Sequence, residues 1–200
     1  MKARRTRQLL RKVIIVTGTP GTGKTTFSRR LAREIEADYL PLTQYVSRHG
    51  LYAGFDRERG SKIINASRTQ ASLRSLLSRS SGFTVVDTHV PEGIVPKEIV
   101  KQVFVLRCHP RILETRLQRK NWRPSKVREN VLAEILDSCL TSAAKYYGLR
   151  RVIQVDTSRA SVRQCVASAK RTLQNRPARK VKVDWITTLD NEHSLDRYLE

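Results

Sequence analysis

Residues 18–25 read Gly-Thr-Pro-Gly-Thr-Gly-Lys-Thr, which is the pattern G-x-x-x-x-G-K-T between an apolar run at residues 13–16 and a helical pattern that begins near Lys24. Its glycines allow the backbone to curl with its N–H groups inward, and the helix adds its positive dipole end. A polyphosphate site is therefore predicted, with Lys24 on the β- and γ-phosphates and Thr25 holding Mg²⁺. The alternative, a glycine-rich turn that binds nothing, is disfavoured because the motif is complete. The glycines are Gly18, Gly21 and Gly23.

A second part of the same site is predicted at the end of a later strand. Residues 83–86 form a run typical of a buried strand, and Asp87 follows it. Open α/β sheets bind ligands at the carboxyl ends of their strands, so Asp87 is expected to face Thr25 and join the Mg²⁺ shell, although such an Asp often only begins a turn. His89 is expected to orient a water molecule or sense the γ-phosphate, and the alternative is an exposed histidine without a role.

A modest insertion between the first and third strands is a candidate site for the acceptor substrate. After a short strand at residues 38–42, the sequence indicates a polar helix to about Arg48, a glycine-punctuated loop at residues 50–56 and a helix from about Asn65 to Ser80. Kinases that act on a second nucleotide bind it at such an insertion. An ordinary crossover with an ordinary loop fits the pattern equally well.

A short basic lid is predicted after a strand at residues 103–106 and a helix that begins near Pro110. Cations are the groups that best meet the charge on a transferred phosphoryl group. A solvated basic hairpin, or a surface for RNA with Trp122 stacking on a base, fits the same pattern. The cations of the region are Arg111, Arg116, Arg119, Lys120, Arg123, Lys126 and Arg128.

The rest of the chain is expected to form one long helix from Lys126, a fifth strand at residues 151–156 and a final helix. Glu129, Asn130 and Glu134 are expected to cap that long helix or pair with nearby arginines. Arg159 is a candidate for contact with the nucleotide base. In the tail, Trp185 and its apolar neighbours indicate packing on the body, and fraying is the alternative.

Length and composition fit one compact domain with small appendages, which include a basic N-terminal arm. A net charge of +21 makes an anionic partner larger than ATP plausible, and simple solvation of exposed faces is the alternative. The three isolated cysteines fit neither a disulfide framework nor a zinc site. The apolar run behind the basic arm is too short for export or a membrane span, and a cytoplasmic protein is expected.

With these residues in view, the sequence at about residues 12–175 resembles the adenylate kinase isoenzyme 6 family, small nucleotide-kinase-like ATPases linked to small ribosomal subunit maturation. Beyond the phosphate loop, the resemblance rests on Val86-Asp87-Thr88-His89, Leu51-Tyr52-Ala53-Gly54-Phe55-Asp56, Val103-Phe104-Val105-Leu106-Arg107, Lys126-Val127-Arg128-Glu129-Asn130 and Ala133-Glu134-Ile135. Two departures stand out. The lid reads Lys120-Asn121-Trp122 where the family has Arg-Gly-Tyr or Arg-Gly-Trp, and Asn65-Ala66-Ser67 stands where acidic residues are usual.

The resemblance implies an α/β P-loop NTPase with a doubly wound five-stranded parallel sheet of the nucleoside monophosphate kinase type. It implies a domain at residues 12–175, between a basic arm at 1–11 and a tail at 176–200, with an acceptor-binding region at about residues 43–68 and a short lid at about residues 118–127. It implies that Asp87 and His89 form the Walker B pair, with His89 needed for ATP hydrolysis, and that Thr26 joins the nucleotide-binding loop. Either Lys120 or Arg119 takes the place of the lid arginine. The acceptor region includes Tyr52, Gly54 and Phe55.

The expected function is Mg-ATP-dependent conversion of AMP and ATP to two ADP, with ATPase activity, in small ribosomal subunit maturation beside a ribosomal protein and rRNA. A metabolic kinase without a ribosomal role and a kinase of RNA ends are the alternatives. A GTP-driven switch is less favoured, since the sequence has no Asn-Lys-x-Asp element. The dominant reaction and the oligomeric state are left open.

Overall fold

The computed structural model describes residues 12–57, 61–89, 91–176 and 181–199. A five-stranded sheet forms its centre, with strand order β2-β5-β1-β6-β7, and every neighbouring pair is parallel. The strands are β1 (Val13–Gly18), β2 (Asp38–Pro41), β5 (Thr84–Asp87), β6 (Val100–Arg107) and β7 (Val152–Asp156). The predicted basic arm at residues 1–11 lies outside the described residues.

Helices cover both faces of the sheet, which makes the fold doubly wound. The helices are α1 (Lys24–Glu34), α2 (Leu42–Arg48), α3 (Ala66–Arg79), α4 (Pro110–Gln118), α5 (Pro124–Ile135), α6 (Ser138–Tyr147), α7 (Val162–Leu173), α8 (Trp185–Asn191) and α9 (Asp196–Leu199), with a 3₁₀ turn at Leu149–Arg151. On one face, Phe27 and Leu31 of α1 pack with Val166 of α7. On the other, Val46 of α2 and Leu73 of α3 share a core with Tyr147 of α6.

Strand β1 is buried along its whole length, as a central parallel strand requires. Because it lies between β5 and β6, the loop that follows it sits at the middle of the sheet's carboxyl edge. The register pairs Val16 with Asp87, so the end of β5 reaches the same edge. The predicted doubly wound, five-stranded parallel sheet is confirmed.

The glycine-punctuated loop predicted at residues 50–56 is wrong. The structure has an antiparallel hairpin of β3 (Tyr52–Asp56) and β4 (Ser61–Ile64). Both strands are short and show little alternation of apolar and polar residues. The sequence therefore does not indicate that they pair with each other.

The single long helix predicted from Lys126 is also wrong, because the chain breaks between α5 and α6 at Asp137, whose φ is +55°. In a continuous helix the carbonyl of Glu134 would accept from the amide of residue 138. Here it accepts from Nη2 of Arg107 at 3.0 Å and from the amide of Asp137 at 3.3 Å. Arg107 also binds the Asp137 carboxylate, so a buried arginine holds the break in place.

The tail contributes α8 and α9, which pack beside the lid helices. Leu189 and Tyr198 join Leu113, Leu117 and Val131 in a third core cluster. Of the residues that the structure describes, none belongs to a helix long and apolar enough to cross a membrane.

Candidate functional site

The loop between β1 and α1 has a shape that its glycines dictate. Gly18 has a φ of +138°, and a Cβ atom there would lie 2.4 Å from the carbonyl oxygen of Leu106. Gly23 precedes α1 with a φ of +94° and open space around it, so its conformation rather than its surroundings favours glycine. A Cβ on Gly21 would meet Cδ1 of Leu113 at 2.8 Å. The loop is therefore packed against β6 and α4.

Lys24 begins α1 and folds back over this loop. Its Nζ donates to the carbonyl oxygens of Gly18 at 2.8 Å and Thr19 at 3.1 Å. Burial lowers the pKa of Lys24, and the charges of Asp87 and Glu134 oppose that effect. A partly desolvated ammonium group that donates to two neutral carbonyls is well suited to exchange them for phosphate oxygens.

Thr25 and Asp87 are brought together, as the sequence predicts for a magnesium site. The Thr25 hydroxyl donates to Oδ2 of Asp87 at 2.8 Å, and the Tyr39 hydroxyl donates to the same oxygen at 3.1 Å. Asp87 is only 8% exposed. A hydroxyl and one carboxylate, with substrate phosphates, form the oxygen donor set that Mg²⁺ takes in such sites, so the residues present fit this ion. The role of Tyr39 was not predicted, because nothing in its strand distinguishes it.

His89 lies at the rim of the site, and the residue is partly exposed to solvent. Partial desolvation lowers the pKa of His89, and the positive charge of Lys24 lowers it further, while Asp87 acts in the opposite direction. Desolvation and the Lys24 charge both favour the neutral imidazole, the form that can accept a proton. The structure places His89 within the electrostatic field of both predicted partners.

The predicted lid is the turn between α4 and α5. Arg119 and Lys120 are exposed there, and the charge of Lys120 contributes to the lowered pKa of Lys24. Trp122 is 37% exposed. The lid cations are therefore exposed to solvent, and Lys120 lies close enough to Lys24 for its charge to act there.

A cavity of about 220 Å³ lies beside the loop, lined by residues that include Gly23, Thr26, Arg116 and Thr157. Arg116 donates from Nη2 to the carbonyl of Thr157 at 3.0 Å, and the Thr157 hydroxyl donates to the carbonyl of Thr22 at 2.9 Å. The structure thus brings Thr26 to this cavity. Arg159, the predicted base contact, instead lines a different groove between β7 and α7.

The predicted acceptor residues lie on the hairpin. Tyr52 is half-buried, with Nζ of Lys62 4.7 Å from the centre of its ring, whereas Gly54 is exposed and Phe55 is 58% exposed. The structure therefore places Gly54 and Phe55 on an open surface of β3, whereas Tyr52 packs partly against the core that α2, α3 and α6 share.

The network beneath the loop was largely missed. Glu134 is 2% exposed, and its Oε2 accepts from the hydroxyl of Thr19 at 2.6 Å. Its Oε1 accepts from Nε of Arg107 at 2.8 Å, and Arg107 is 1% exposed. The same oxygen accepts from the Cys108 amide and from Nε1 of Trp185, each at 3.0 Å. Glu134 was expected to cap its helix or pair with a nearby lid arginine, but its partner is Arg107 at the end of β6, and neither its burial nor its link to the loop was foreseen. The one available signal was the Glu134-Ile135 element.

Comparisons with known proteins agree with this geometry. The family described as AAA domain matches residues 14–137. A protein of Methanocaldococcus jannaschii named "Putative adenylate kinase" is 31% identical over 172 residues, which cover 86% of this chain and 92% of that protein. A protein of the same name from Saccharolobus islandicus is 36% identical over 152 residues, which cover 76% of this chain and 78% of that protein. A shikimate kinase structure from Bacteroides thetaiotaomicron has the same fold, with a TM-score of 0.54, 19% identity and coverage of 81% of this chain and 98% of that one.

Proposed function

This chain belongs to the AAA domain family and to the family of archaeal proteins named "Putative adenylate kinase", and we propose that it transfers the γ-phosphoryl group of Mg-ATP to AMP. The chain is an enzyme of the adenylate-kinase-like phosphotransferase class. In the proposed reaction, a phosphate oxygen of AMP bonds to the γ-phosphorus as the bond from that phosphorus to the β,γ-bridging oxygen breaks, giving two ADP.

One observation carries the proposal: Lys24 lies on the phosphate loop with the Thr25–Asp87 pair beside it. Lys24 exchanges its two carbonyl contacts for oxygens of the β- and γ-phosphates. Thr25 and Asp87 would hold Mg²⁺, which neutralises charge on those phosphates when bound. The loop glycines and Thr26 bind the triphosphate through backbone N–H groups and the hydroxyl. Positioning and charge stabilisation supply most of the catalysis in this class of reaction.

The lid and the hairpin provide the remaining substrate contacts that we propose. We assign the lid contact to Lys120, with Arg119 as its neighbour, because the charge of Lys120 already acts on Lys24. The surface of β3 around Tyr52, Gly54 and Phe55 is assigned to the acceptor, whereas Arg159, which lines a separate groove, is given no contact with the nucleotide. Thr25 and Asp87 are assigned to the metal.

We further propose membership of the adenylate kinase isoenzyme 6 family, with ATP hydrolysis during small ribosomal subunit maturation. In that reaction water replaces AMP as the nucleophile, and neutral His89 accepts its proton. The net charge of +21 and the exposed cations of the lid support contact with rRNA beside a ribosomal protein. Assembly in the cytoplasm agrees with three free cysteines among the described residues, two of them buried.

A phosphorus NMR time course with Mg-ATP, with and without AMP, tests the reaction. Lys24→Ala is expected to lose roughly a hundredfold or more in rate, as removal of one charge-stabilising donor does. Lys145→Ala, a matched change on the exposed face of α6, is expected to retain the wild-type rate. Normal turnover by Lys24→Ala would refute the site.

The products separate the two reactions. Loss of AMP with formation of two ADP supports the kinase, whereas free phosphate without loss of AMP, abolished in His89→Ala, supports an ATPase and refutes the kinase. Phosphate transferred to RNA ends would refute both. The ribosomal role is refuted if binding to rRNA is undetectable at low salt, where contacts to the phosphate backbone are strongest.

A further inference from the structure

The end of the chain is packed onto the helices that carry the lid. Trp185 of α8 is 6% exposed, Leu189 is fully buried, and Tyr198 of α9 is 7% exposed. Nη2 of Arg197 lies 2.9 Å from Oε2 of Glu114 on α4. Residues 181–199, which we name the C-terminal segment, are thus held by an apolar core and a surface ion pair.

One carboxylate joins this segment to the phosphate loop. Oε1 of Glu134 accepts from Nε1 of Trp185 at 3.0 Å, and Oε2 of the same side chain accepts from the hydroxyl of Thr19 at 2.6 Å. The carbonyl of Thr19 in turn accepts from Nζ of Lys24 at 3.1 Å. The Arg107 guanidinium, 5.9 Å from the centre of the Trp185 ring, also pairs with Glu134. A movement of Trp185 would therefore disturb Glu134, and through it Thr19, the residue whose carbonyl accepts from Lys24.

A second connection passes through α4 and involves no polar group. Cδ1 of Leu113 and Cδ2 of Leu117 lie where they would be 2.8 and 3.0 Å from a Cβ on Gly21, so these leucines pack against the loop. The same two leucines share the core cluster with Leu189 and Tyr198. Closely packed side chains transmit displacement because the interior has few voids to absorb it. The leucines of α4 thus pack against the loop and also belong to the core of the C-terminal segment.

We propose that the C-terminal segment is a clamp that holds the phosphate loop in its nucleotide-binding shape, with Trp185 as a positioning residue. The inference rests on the proposed function, because it concerns the same nucleotide site. Docking of the segment and binding of Mg-nucleotide are then reciprocally coupled: undocking weakens nucleotide binding, and nucleotide strengthens docking. Release of the segment by a partner lowers affinity for ATP without blocking the site.

Three variants on α8 test the clamp by calorimetric titration with Mg-ADP. Leu189→Ala loosens the segment without touching Glu134, and its Kd is expected to rise roughly fivefold or more, the lower end of typical coupling between sites. Trp185→Phe keeps an aromatic ring but removes the N–H donor, and a smaller rise is expected. Ile186→Ala is the matched control, because Ile186 lies on the same helix and is 47% exposed. In steady-state assays, KM for ATP is expected to rise more than kcat falls.

Hydrogen exchange on the wild-type chain gives a measurement that needs no variant. Saturating Mg-ADP is expected to slow exchange of the amides of α8 more than those of α3, which serve as the reference for global stabilisation. Equal slowing in α8 and α3, with unchanged Kd in Leu189→Ala, would overturn the clamp. If wild-type protein and Lys24→Ala bind Mg-ADP equally, or neither binds, the proposed function itself fails. If wild-type protein binds Mg-ADP and only Lys24→Ala does not, but nucleotide slows exchange no more in α8 than in α3, the clamp fails and the proposed function stands.

Discussion

Glu134→Gln removes one negative charge from the interior and leaves the side-chain volume almost unchanged. Four donors point at the carboxylate: the Thr19 hydroxyl, Nε of Arg107, the Cys108 amide and Nε1 of Trp185. An amide oxygen in the Oε1 position still accepts from the last three. The amide nitrogen then meets the Thr19 hydroxyl, which turns to accept instead. Lost hydrogen bonds are therefore not the main cost.

The main cost is the charge left on Arg107, which is 1% exposed. Breaking a buried ion pair by removing one partner costs about 3–5 kcal/mol, because the remaining charge stays desolvated. Here Asp137 still binds the guanidinium, although its own side chain is 35% exposed. We therefore expect a loss of about 2–3 kcal/mol in the free energy of unfolding, below the full cost of an unpaired charge.

Urea unfolding followed by far-ultraviolet circular dichroism measures this loss, with Glu129→Gln as the control. Glu129 lies on the same helix, where it pairs with Lys126 at 2.8 Å, and its side chain is 65% exposed. Such surface pairs contribute at most about 1 kcal/mol, so the control is expected to be nearly neutral. Equal losses of unfolding free energy in the two variants would refute the argument that Glu134 stabilises the protein because its carboxylate is buried. A change in slope, rather than in midpoint, would indicate a different unfolded state.

Two further predictions concern the loop and its rim. Gly18→Ala is expected to unfold at a markedly lower urea concentration than Gly23→Ala, because its Cβ would clash with the Leu106 carbonyl whereas Gly23 has only its φ to satisfy; equal midpoints would contradict this. For His89, the imidazole proton shifts followed by NMR against pH should give a pKa below 6.5 that rises in Lys24→Met, since desolvation and the Lys24 charge both lower it. An unchanged pKa in that variant would show that the lysine charge does not act there.

Much of the fold could be predicted because its signals are local. The apolar runs before Gly18 and Asp87 indicated buried parallel strands, and the observed register brings Asp87 beside Thr25. The hairpin at β3 and β4 was not predicted, since pairing of two short strands depends on a turn that brings them together. The break at Asp137 was not predicted because the apolar spacing of α5 and α6 continues across it, and the interruption comes from Arg107 on another element.

The sequence alone determined the phosphate loop, because glycine conformation and the change from strand to helix depend on neighbouring residues. The tertiary structure alone decided what supports that loop. Thr19 and Trp185 reach the carboxylate of Glu134 across 115 and 51 positions of the chain, and Arg107 reaches it across 27. A hydropathy pattern treats Glu134 and Arg107 as two solvated charges. They are buried together because the end of β6 meets α5, and a charge is stable inside a protein only where folding supplies its partner.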